Sequence, residues 1–566
     1  MRIYLFILAL VLCLTFVILK INFETNPATI QINFPSDIVA GVIPHHLLAK
    51  ELIEQFFDAL NSASSSFDKI YLLSPDHYQM TKLNNCVFLT DSPYKIFSSL
   101  EKEDLMKVDE FSVFKDQGIS SPLIFIKKYL PDTQVVPVLI SPKTDISQIQ
   151  LLIKNISKDP SRKLVLASVD FSHYLSKELL LLHDVKSLRV FNNFEETNFP
   201  YIDVDSWQAL YGVRYYTQLQ KAEKIEVLQH KTSFDFIDEL PVNALMNKEG
   251  GTSYFSILLK KGSGEKLENN SFLFVGDLMM ARGVALLTDK YGSDYPFINV
   301  KNIFQGIDFV YGNLEGPVVK NAQPVSFQSV SFVYPPEVIK TLSSLGFNIL
   351  NLANNHTLDK GEKSLMETRN ILKEYKIQPL GDYRQCSSDY FFQKDKILFI
   401  GADLVYGNYS CVEEIIKEVQ KAKKENPSLF IIFTPHWGIE YNSRPSLFQQ
   451  EVAHELIDKG VDLIVGHHPH VVQAIEEYNG KLIFYSLGNF VFDQYFSKPV
   501  QESLVLGIEK TNQSMRIYLI PLSSIKSQLN LMNEEQKRKF LMELSKISSS
   551  SLQTLIEDGI IEVEIR

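Results

Sequence analysis

Short apolar runs rich in β-branched residues alternate with amphipathic stretches along most of the chain. Between residues 38 and 261 the strand-like runs are DIVAGVI, KIYLLS, TQVVPVLI and KLVLASV, and SYFSILLKK is typical of a closing strand. Helical patterns such as LLAKELIEQFFDALNSA lie between them. Regular alternation of strands and helices predicts an α/β sandwich or a doubly wound sheet.

A second alternating series begins at Phe272, after the segment KKGSGEKLENN, which is rich in glycine and charge. The pattern predicts helices near 299–305, 336–345, 361–375, 412–425, 447–459 and 533–547, with strands between them and a final strand IIEVEI. Residues 262–271 therefore form the best domain boundary. We predict two α/β domains, 38–261 and 272–566, that fold independently because each has its own strands.

The apolar run from Ile3 to Leu19 lies between Arg2 and Lys20 and is near the shortest stretch that spans a bilayer. It lacks the small residues of a cleavage site, so residues 1–23 are predicted to be an uncleaved signal anchor, followed by a linker at 24–37. A cleaved signal peptide and a buried helix remain alternatives. The anchor predicts a single-pass protein of the cell membrane with both domains extracytoplasmic.

Composition narrows the class further. The 566 residues are 45% hydrophobic and 22% charged, which is typical of folded domains. The formal net charge is −11 and no basic stripe stands out, which argues against a nucleic-acid partner. The four cysteines are scattered, with one in the apolar run at Ile3–Leu19, which leaves room for one disulfide bond but not for a disulfide framework.

Polar side chains of the second domain cluster where predicted strands end. The residues concerned are Asp277, Asn313, Glu315, Asn355, His356, His436, His468 and His470. Open α/β sheets bind their ligands at the carboxyl ends of strands. Carboxylate, amide and imidazole groups are ligands that suit Zn, Mn or Fe. We therefore predict a site for one or two divalent transition metals at this edge.

His468 and His470 are two residues apart, so in an extended segment both rings would point to the same side and His467 to the other. Hydrogen-bonded loop histidines are the alternative interpretation of this pair. Asp277 suits a metal ligand or the N-cap of the following helix. Arg282 can clamp phosphate or carboxylate, or lie on the surface in a first helical turn.

The motifs GDLMMARG, NLEGP, NNHTLDKG, HWGIEY, HHPHVVQ and YSLGNFVFDQ resemble the CapA family of capsule and poly-γ-glutamate synthesis proteins. That family is related to calcineurin-like metallophosphoesterases, and the resemblance covers about 272–520. The superfamily has Asp-x-His where this chain has Asp277 and Met279, and a bridging Asp where it has Asn313. These departures weaken the case for a tightly coupled pair of metals.

The resemblance implies one metal position built from Asp277, His470 and Glu315. It implies a second around Asn355, His436 and His468, with His356 beside it as a general acid toward the leaving oxygen. The predicted activity is that of a surface-facing hydrolase or transferase acting on a phosphoester or an anionic envelope polymer. The alternative is a binding or assembly protein whose metal sites have lost catalysis.

In the first domain, the segments GVIPHHLLA, YLLSPDHYQM and LASVDFSHYLS resemble the Memo-like family, also called AmmeMemoRadiSam system protein B. Its members look like the catalytic subunit of extradiol dioxygenases. The resemblance marks His45 and His77 as metal ligands and assigns Asp170 and His173 to the same site. The family's third ligand, a cysteine, is absent, and Asp205 in the matching stretch would complete a set suited to Fe(II). A degenerate domain kept for packing or binding is the alternative.

Overall fold

The computed structural model describes residues 37–62, 67–78, 86–88, 106–108, 115–239, 250–382, 391–394, 396–407 and 409–565. The predicted anchor at 1–23 and all but the last residue of the predicted linker at 24–37 lie outside these residues. Within them, every helix is too short or too polar to cross a bilayer.

The first domain is built on a mixed sheet that has nine strands in the described residues. These are β1 Ile38–Ile43, β2 Lys69–Pro75, β3 Cys86–Phe88, β4 Met106–Val108, β5 Gln134–Ile140, β6 Lys163–Ser168, β7 His173–Leu175, β8 Lys224–Thr232 and β9 Gly251–Lys260. Their order is β4-β3-β5-β2-β6-β1-β9-β7, with β8 also paired to β9. Strands β5, β2, β6 and β1 run parallel.

Helices cover both faces of this sheet, which explains why its central strands are continuously apolar. The helices are α1 Lys50–Ser62, α2 Gln117–Tyr129, α3 Ile146–Ser157, α4 Lys177–Asn193 and α5 Trp207–Leu219. Phe56 of α1 and Ile119 of α2 belong to the core on one face. Ile149 of α3 and Leu210 of α5 belong to the core on the other.

The second domain contains two further sheets. Its strands are β10 Asn270–Leu278, β11 Phe309–Leu314, β12 Ile349–Asn351, β13 Gln378–Leu380, β14 Phe391–Lys394, β15 Ile397–Asp403, β16 Phe430–His436, β17 Leu463–Val465, β18 Ile475–Tyr478, β19 Lys481–Phe484, β20 Asn489–Val491, β21 Glu502–Lys510, β22 Ser514–Ile525, β23 Gln528–Leu531 and β24 Ile560–Glu564. The helices are α6 Arg282–Tyr291, α7 Pro336–Leu345, α8 Glu362–Glu374, α9 Tyr409–Glu425, α10 Leu447–Lys459, α11 Glu534–Ile547 and α12 Gln553–Glu557.

One sheet has the order β13-β12-β11-β10-β21-β22-β23, and the other β14-β15-β16-β17-β19-β18. Their inner faces pack together through aromatic side chains such as Phe274 of β10 and Phe399 of β15. Helices cover the outer face of each sheet. The second domain is therefore an α/β sandwich in which parallel strands of both sheets end at a common edge.

Most predicted helices of this domain lie within three residues of the observed bounds. The exception is the helix predicted near 299–305, where the structure has only a short 3-10 turn, Lys301–Phe304. That turn packs Ile303 and Phe304 into the core, so its apolar spacing reflects burial without a regular α-helix.

Helix α4 of the first domain packs into the second. Leu179, Leu180 and Leu182 belong to the same buried cluster as Leu273 and Val275 of β10. The fit is close, since a Cβ added at Gly507 of β21 would lie 2.7 Å from Leu182. The two domains thus share one hydrophobic core across their boundary, which argues against their independent folding.

Candidate metal centre

The centre lies at the edge of the sandwich where β10, β11 and β16 end. Asp277 stands near the end of β10 and is fully buried. Its neighbour Gly276 lets the strand approach the backbone of Gly488, because a Cβ there would lie 1.9 Å from the Gly488 carbonyl oxygen. The alternative of Asp277 as a helix N-cap is excluded, since α6 begins at Arg282 with Ala281 at the cap position.

Asp277, Glu315 and His470 form the buried half of the centre. One donor atom from each lies within 4.8 Å of the others. Asp277 Oδ2 is 3.3 Å from His470 Nδ1. Both carboxylate oxygens of Glu315 are buried without a hydrogen-bond partner among the described residues. A buried carboxylate is costly unless it is paired or coordinates a metal, so this set of donors fits a divalent cation.

The charges in this half perturb one another strongly. Burial and the adjacent charge of Asp277 raise the pKa of Glu315 to about 8. Burial alone would lower the pKa of His470, but Glu315 and Asp277 raise it to about 9. Burial opposes ionisation of Asp277, yet its hydrogen bond with His470 lowers its pKa overall. Strongly perturbed groups at one buried point are typical of a functional site.

Glu440, His468 and His470 form the open half, again with one donor atom each within 4.8 Å of the others. His470 is therefore common to both halves. Glu440 was not among the predicted ligands, although it lies in the HWGIEY motif four residues after His436. Burial and the nearby His470 lower the pKa of His468 to about 4, so its ring is neutral and able to ligate.

The two histidine rings converge, with centroids 5.8 Å apart, but not through an extended strand. His468 has φ 99° and His470 φ 58°, values that are uncommon for residues other than glycine. Strained backbone at a site of this kind persists because the surrounding structure holds it. His467 turns away as predicted, and its Nε2 donates to the carbonyl oxygen of Val275 at 3.2 Å.

Asn313 occupies the space between Asp277 and His436. Its amide nitrogen donates to Asp277 Oδ1 at 2.8 Å and to His436 Nδ1 at 3.1 Å. His436 Nε2 in turn donates to Asn355 Oδ1 at 2.9 Å. Burial and His468 hold the pKa of His436 well below its usual range. The predicted ligands Asn313, Asn355 and His436 thus lie together, but they are hydrogen-bonded to one another.

His356 lies at the rim of the centre and is held by Asp359. Its Nδ1 is 2.9 Å from Asp359 Oδ2, and its ring packs on Phe332 with centroids 4.2 Å apart. Although burial would lower the pKa of His356, Asp359 and Glu315 raise it above the ordinary value. Asp359, which orients this ring, was also missed by the sequence reasoning. It lies three residues on, in the motif NNHTLDKG.

Arg282 is not a surface residue. Its guanidinium forms an ion pair with Asp493, donates to the carbonyl oxygen of Ser329 at 3.1 Å and packs 4.9 Å from the centre of the Phe332 ring. Only Nε has no hydrogen-bond partner among the described residues. These contacts use only part of the five N–H donors of the guanidinium, so its role as a substrate clamp stays a prediction. Met279, which stands where the resemblance implied a histidine ligand, is packed in the hydrophobic core.

The predicted residues of the first domain also lie together. His45 Nε2 is 3.4 Å from Asp205 Oδ2, and His77 Nε2 is 3.9 Å from the same oxygen. Asp170 and His173 form a second group with Asp205, with one donor atom each within 4.8 Å. The buried atoms His45 Nδ1 and Asp205 Oδ1 have no hydrogen-bond partner among the described residues.

Electrostatics at this first-domain site favour a cation between the same groups. Burial and the charge of Asp170 raise the pKa of Asp205 well above its usual range, whereas burial lowers that of His45. Asp116, which sequence reasoning missed, orients His77 through Nδ1 at 2.7 Å. Two imidazoles and a carboxylate fit a transition metal, and Fe(II) stays a prediction.

Fold and site define a two-domain α/β protein with a cluster of metal-ligating side chains in each domain. The family model described as "Bacterial capsule synthesis protein PGA_cap" matches residues 271–494, and the model described as "Memo-like protein" matches residues 38–235. The chain therefore belongs to the CapA family and carries a Memo-like domain before its CapA domain, as the motifs predicted.

Two relatives support this membership. The capsule biosynthesis protein CapA of Bacillus anthracis is 33% identical over 289 residues, which cover 47% of this chain and 69% of the relative. The PGA biosynthesis protein CapA of Bacillus subtilis (strain 168) is 31% identical over 314 residues, or 52% of this chain and 81% of the relative. A purple acid phosphatase from yellow lupin aligns at 9% identity over 50% of this chain and 61% of its own, with a TM-score of 0.25, too low to support an argument.

Proposed function

We propose that the second domain is a metal-dependent hydrolase or transferase that acts on a phosphoester or on an anionic polymer of the cell envelope. The observation that carries the proposal is the Glu315 carboxylate, which is buried without a hydrogen-bond partner beside Asp277 and His470. Ionising this buried carboxyl without a partner would cost on the order of several kcal/mol, in line with its raised pKa, and a bound cation would offset that cost.

Asp277, Glu315, Glu440, His468 and His470 would together hold one or two divalent metals. Such oxygen and nitrogen donors suit Zn, Mn or Fe. When bound, the metal supplies Lewis acidity and activates water. The neutral ring of His436 is hydrogen-bonded to Asn313 and Asn355 and so fixes the positions of these two amide side chains beside the metal ligands.

His356 is the residue placed to move a proton. Asp359 holds its Nδ1, so the other ring nitrogen is free to donate to the oxygen that leaves as the substrate bond breaks. Phe332 packs against the ring and limits its rotation. The names of the relatives, capsule and PGA biosynthesis proteins, support an anionic polymer as the substrate class.

The alternative is a binding or assembly protein for envelope polymer synthesis. Asn313 favours it, because its amide nitrogen donates toward Asp277 and His436 where the superfamily has a bridging carboxylate. Met279, packed in the core, supplies no ligand either. Elemental analysis of the purified chain separates the two functions, since bound transition metal supports the enzyme and its absence from the second domain supports the scaffold.

His356→Ala should lower turnover of a generic phosphodiester by about 10²–10⁴-fold, the range typical of general acid catalysis. Metal content should stay unchanged, since Asp277, Glu315 and His470 keep their places. The assay compares turnover and metal content in the same preparations, with His454→Ala as control because His454 pairs with Glu476 elsewhere. Equal loss of metal and activity would instead identify His356 as a ligand.

We also propose that the chain is anchored in the cell membrane through residues 1–23, with both domains extracytoplasmic. The support is the apolar run Ile3–Leu19 with basic flanks. The full chain should sediment with membranes and require detergent for extraction, whereas a chain beginning at Ile38 should stay in the supernatant. Recovery of the intact full chain in the supernatant without detergent would contradict the anchor.

A further inference from the structure

A cavity of about 1080 Å³ lies between the two domains, and no residue of either metal-type site lines it. Helix α4 lines it with Lys186 and Arg189, and the second domain contributes Asn270 at the start of β10 and Lys510 at the end of β21. Asn270 and Asp277 are at opposite ends of β10, so the cavity is roughly 20 Å from the metal centre at 3.3 Å per residue.

The cavity carries more positive than negative charge. Among its lining residues, Arg189 is paired with both Glu195 and Asp308, and Lys396 is paired with Glu268. These pairs account for the three carboxylates of the lining. Lys186, Lys394 and Lys510 form no close ion pair with any residue that the structure describes, and the five cations of the lining outnumber its three carboxylates.

Of these three lysines, Lys186 and Lys510 are the best placed to bind a ligand in the cavity. Lys186 Nζ donates to the carbonyl oxygen of Ile307 at 3.0 Å, and Lys510 Nζ to that of Thr511 at 3.2 Å. An ammonium group has three N–H donors, so both retain capacity toward a ligand. Lys510 is only 8% exposed, and its ammonium lies 4.9 Å from the centre of the Phe430 ring.

The electrostatics agree with this geometry. Burial lowers the pKa of Lys186; the charge of Asp308 opposes this shift, and the charges of Arg189 and Lys394 add to it. Burial likewise lowers the pKa of Lys510, with Asp462 opposing the shift and Lys396 adding to it. Cations held together in a partly desolvated cavity repel one another, and a bound anion relieves that repulsion.

We propose that this cavity binds a small polyvalent oxyanion, with Lys186 and Lys510 as its principal cationic contacts. Its volume is that of a site for a small molecule, and amide side chains such as Asn270 offer further hydrogen bonds. Both domains supply contacts, so a bound ligand would also stabilise the interface between them. This site is independent of the activity proposed for the metal centre.

The test is calorimetric titration of the full chain in detergent, at low ionic strength, with inorganic pyrophosphate and separately with citrate. Both titrations are repeated in a His470→Ala background, which removes binding of either anion to metal at the centre. Tighter binding of pyrophosphate assigns the site to phosphates, and tighter binding of citrate assigns it to carboxylates. The double variant Lys186→Met/Lys510→Met should bind the preferred anion at least about tenfold more weakly, as expected from losing two charge-assisted contacts.

Lys417→Ala is the matched control, because Lys417 is exposed on α9 and pairs with Glu414 in the same helix. It should bind as the parent does, and Lys186→Arg/Lys510→Arg should restore most of the affinity lost in the methionine variant. Failure of both anions to bind in the His470→Ala background would overturn the proposal. Equal affinity in the methionine variant and its parent would overturn it too, and a circular dichroism spectrum shows whether that variant is folded.

Discussion

His470→Ala should remove bound metal from both halves of the second-domain centre. His470 contributes a donor atom to the group with Asp277 and Glu315 and to the group with Glu440 and His468. Loss of an outer-sphere partner alone typically weakens metal binding by about 10–100-fold, so loss of a shared ligand should exceed that range. Elemental analysis after dialysis measures the remaining metal.

Two further variants make this result specific. Asp277→Ala should weaken only the buried half, and His454→Ala should leave both halves intact, because His454 is bound to Glu476 on the surface. Metal that remains in His470→Ala and disappears on adding His45→Ala belongs to the first domain. Unchanged metal content in His470→Ala, compared with the parent chain, would remove this histidine from the centre.

Leu182→Ala, a change in the first domain, should destabilise the second. Leu182 is fully buried against β21, in the cluster that contains Leu273 and Val275. Deleting a buried leucine side chain typically costs about 2–5 kcal/mol, and here the cavity opens on the sheet of the second domain. Urea unfolding of residues 37–566, followed by loss of phosphodiester turnover and by circular dichroism, measures the shift.

Leu219→Ala is the matched control for this measurement. Leu219 ends α5 in the first domain and is 42% exposed, so its loss should change stability by less than about 0.5 kcal/mol. Residues 271–566 expressed alone should aggregate, because the face that α4 covers would be open to solvent. A soluble, well-folded fragment 271–566 would show that the shared core is dispensable.

Much of the second-domain centre could be predicted from the sequence because its signal is local. Asp277 and His436 each stand at the end of an apolar run, and the histidine pair at 468 and 470 follows another. Glu440 and Asp359 could not be found in this way. A carboxylate in a loop resembles a solvated side chain, and only the tertiary fold brings Glu440 to His468 or turns Asp359 toward His356.

The alternation of strands and helices was enough to predict the fold class of each domain, but it did not predict that the two domains share a core. The segment KELLLLHDVKSL has leucines on several faces, which indicates a helix buried on more than one side. Periodicity gives no information on which surface buries it. The first domain covers one face of α4 and the second domain covers another. The alternating pattern describes each domain separately, so it could not predict the core that they share.

The position of α4 also has a consequence for synthesis. The helix is complete when residue 193 has left the ribosome, but the last of the strands that cover its leucines is β21, which ends at Lys510. At about 5–20 residues per second, that interval lasts roughly 15–60 s. During this time a nascent first domain carries an uncovered apolar face, which makes the growing chain a client for chaperones until its downstream half arrives.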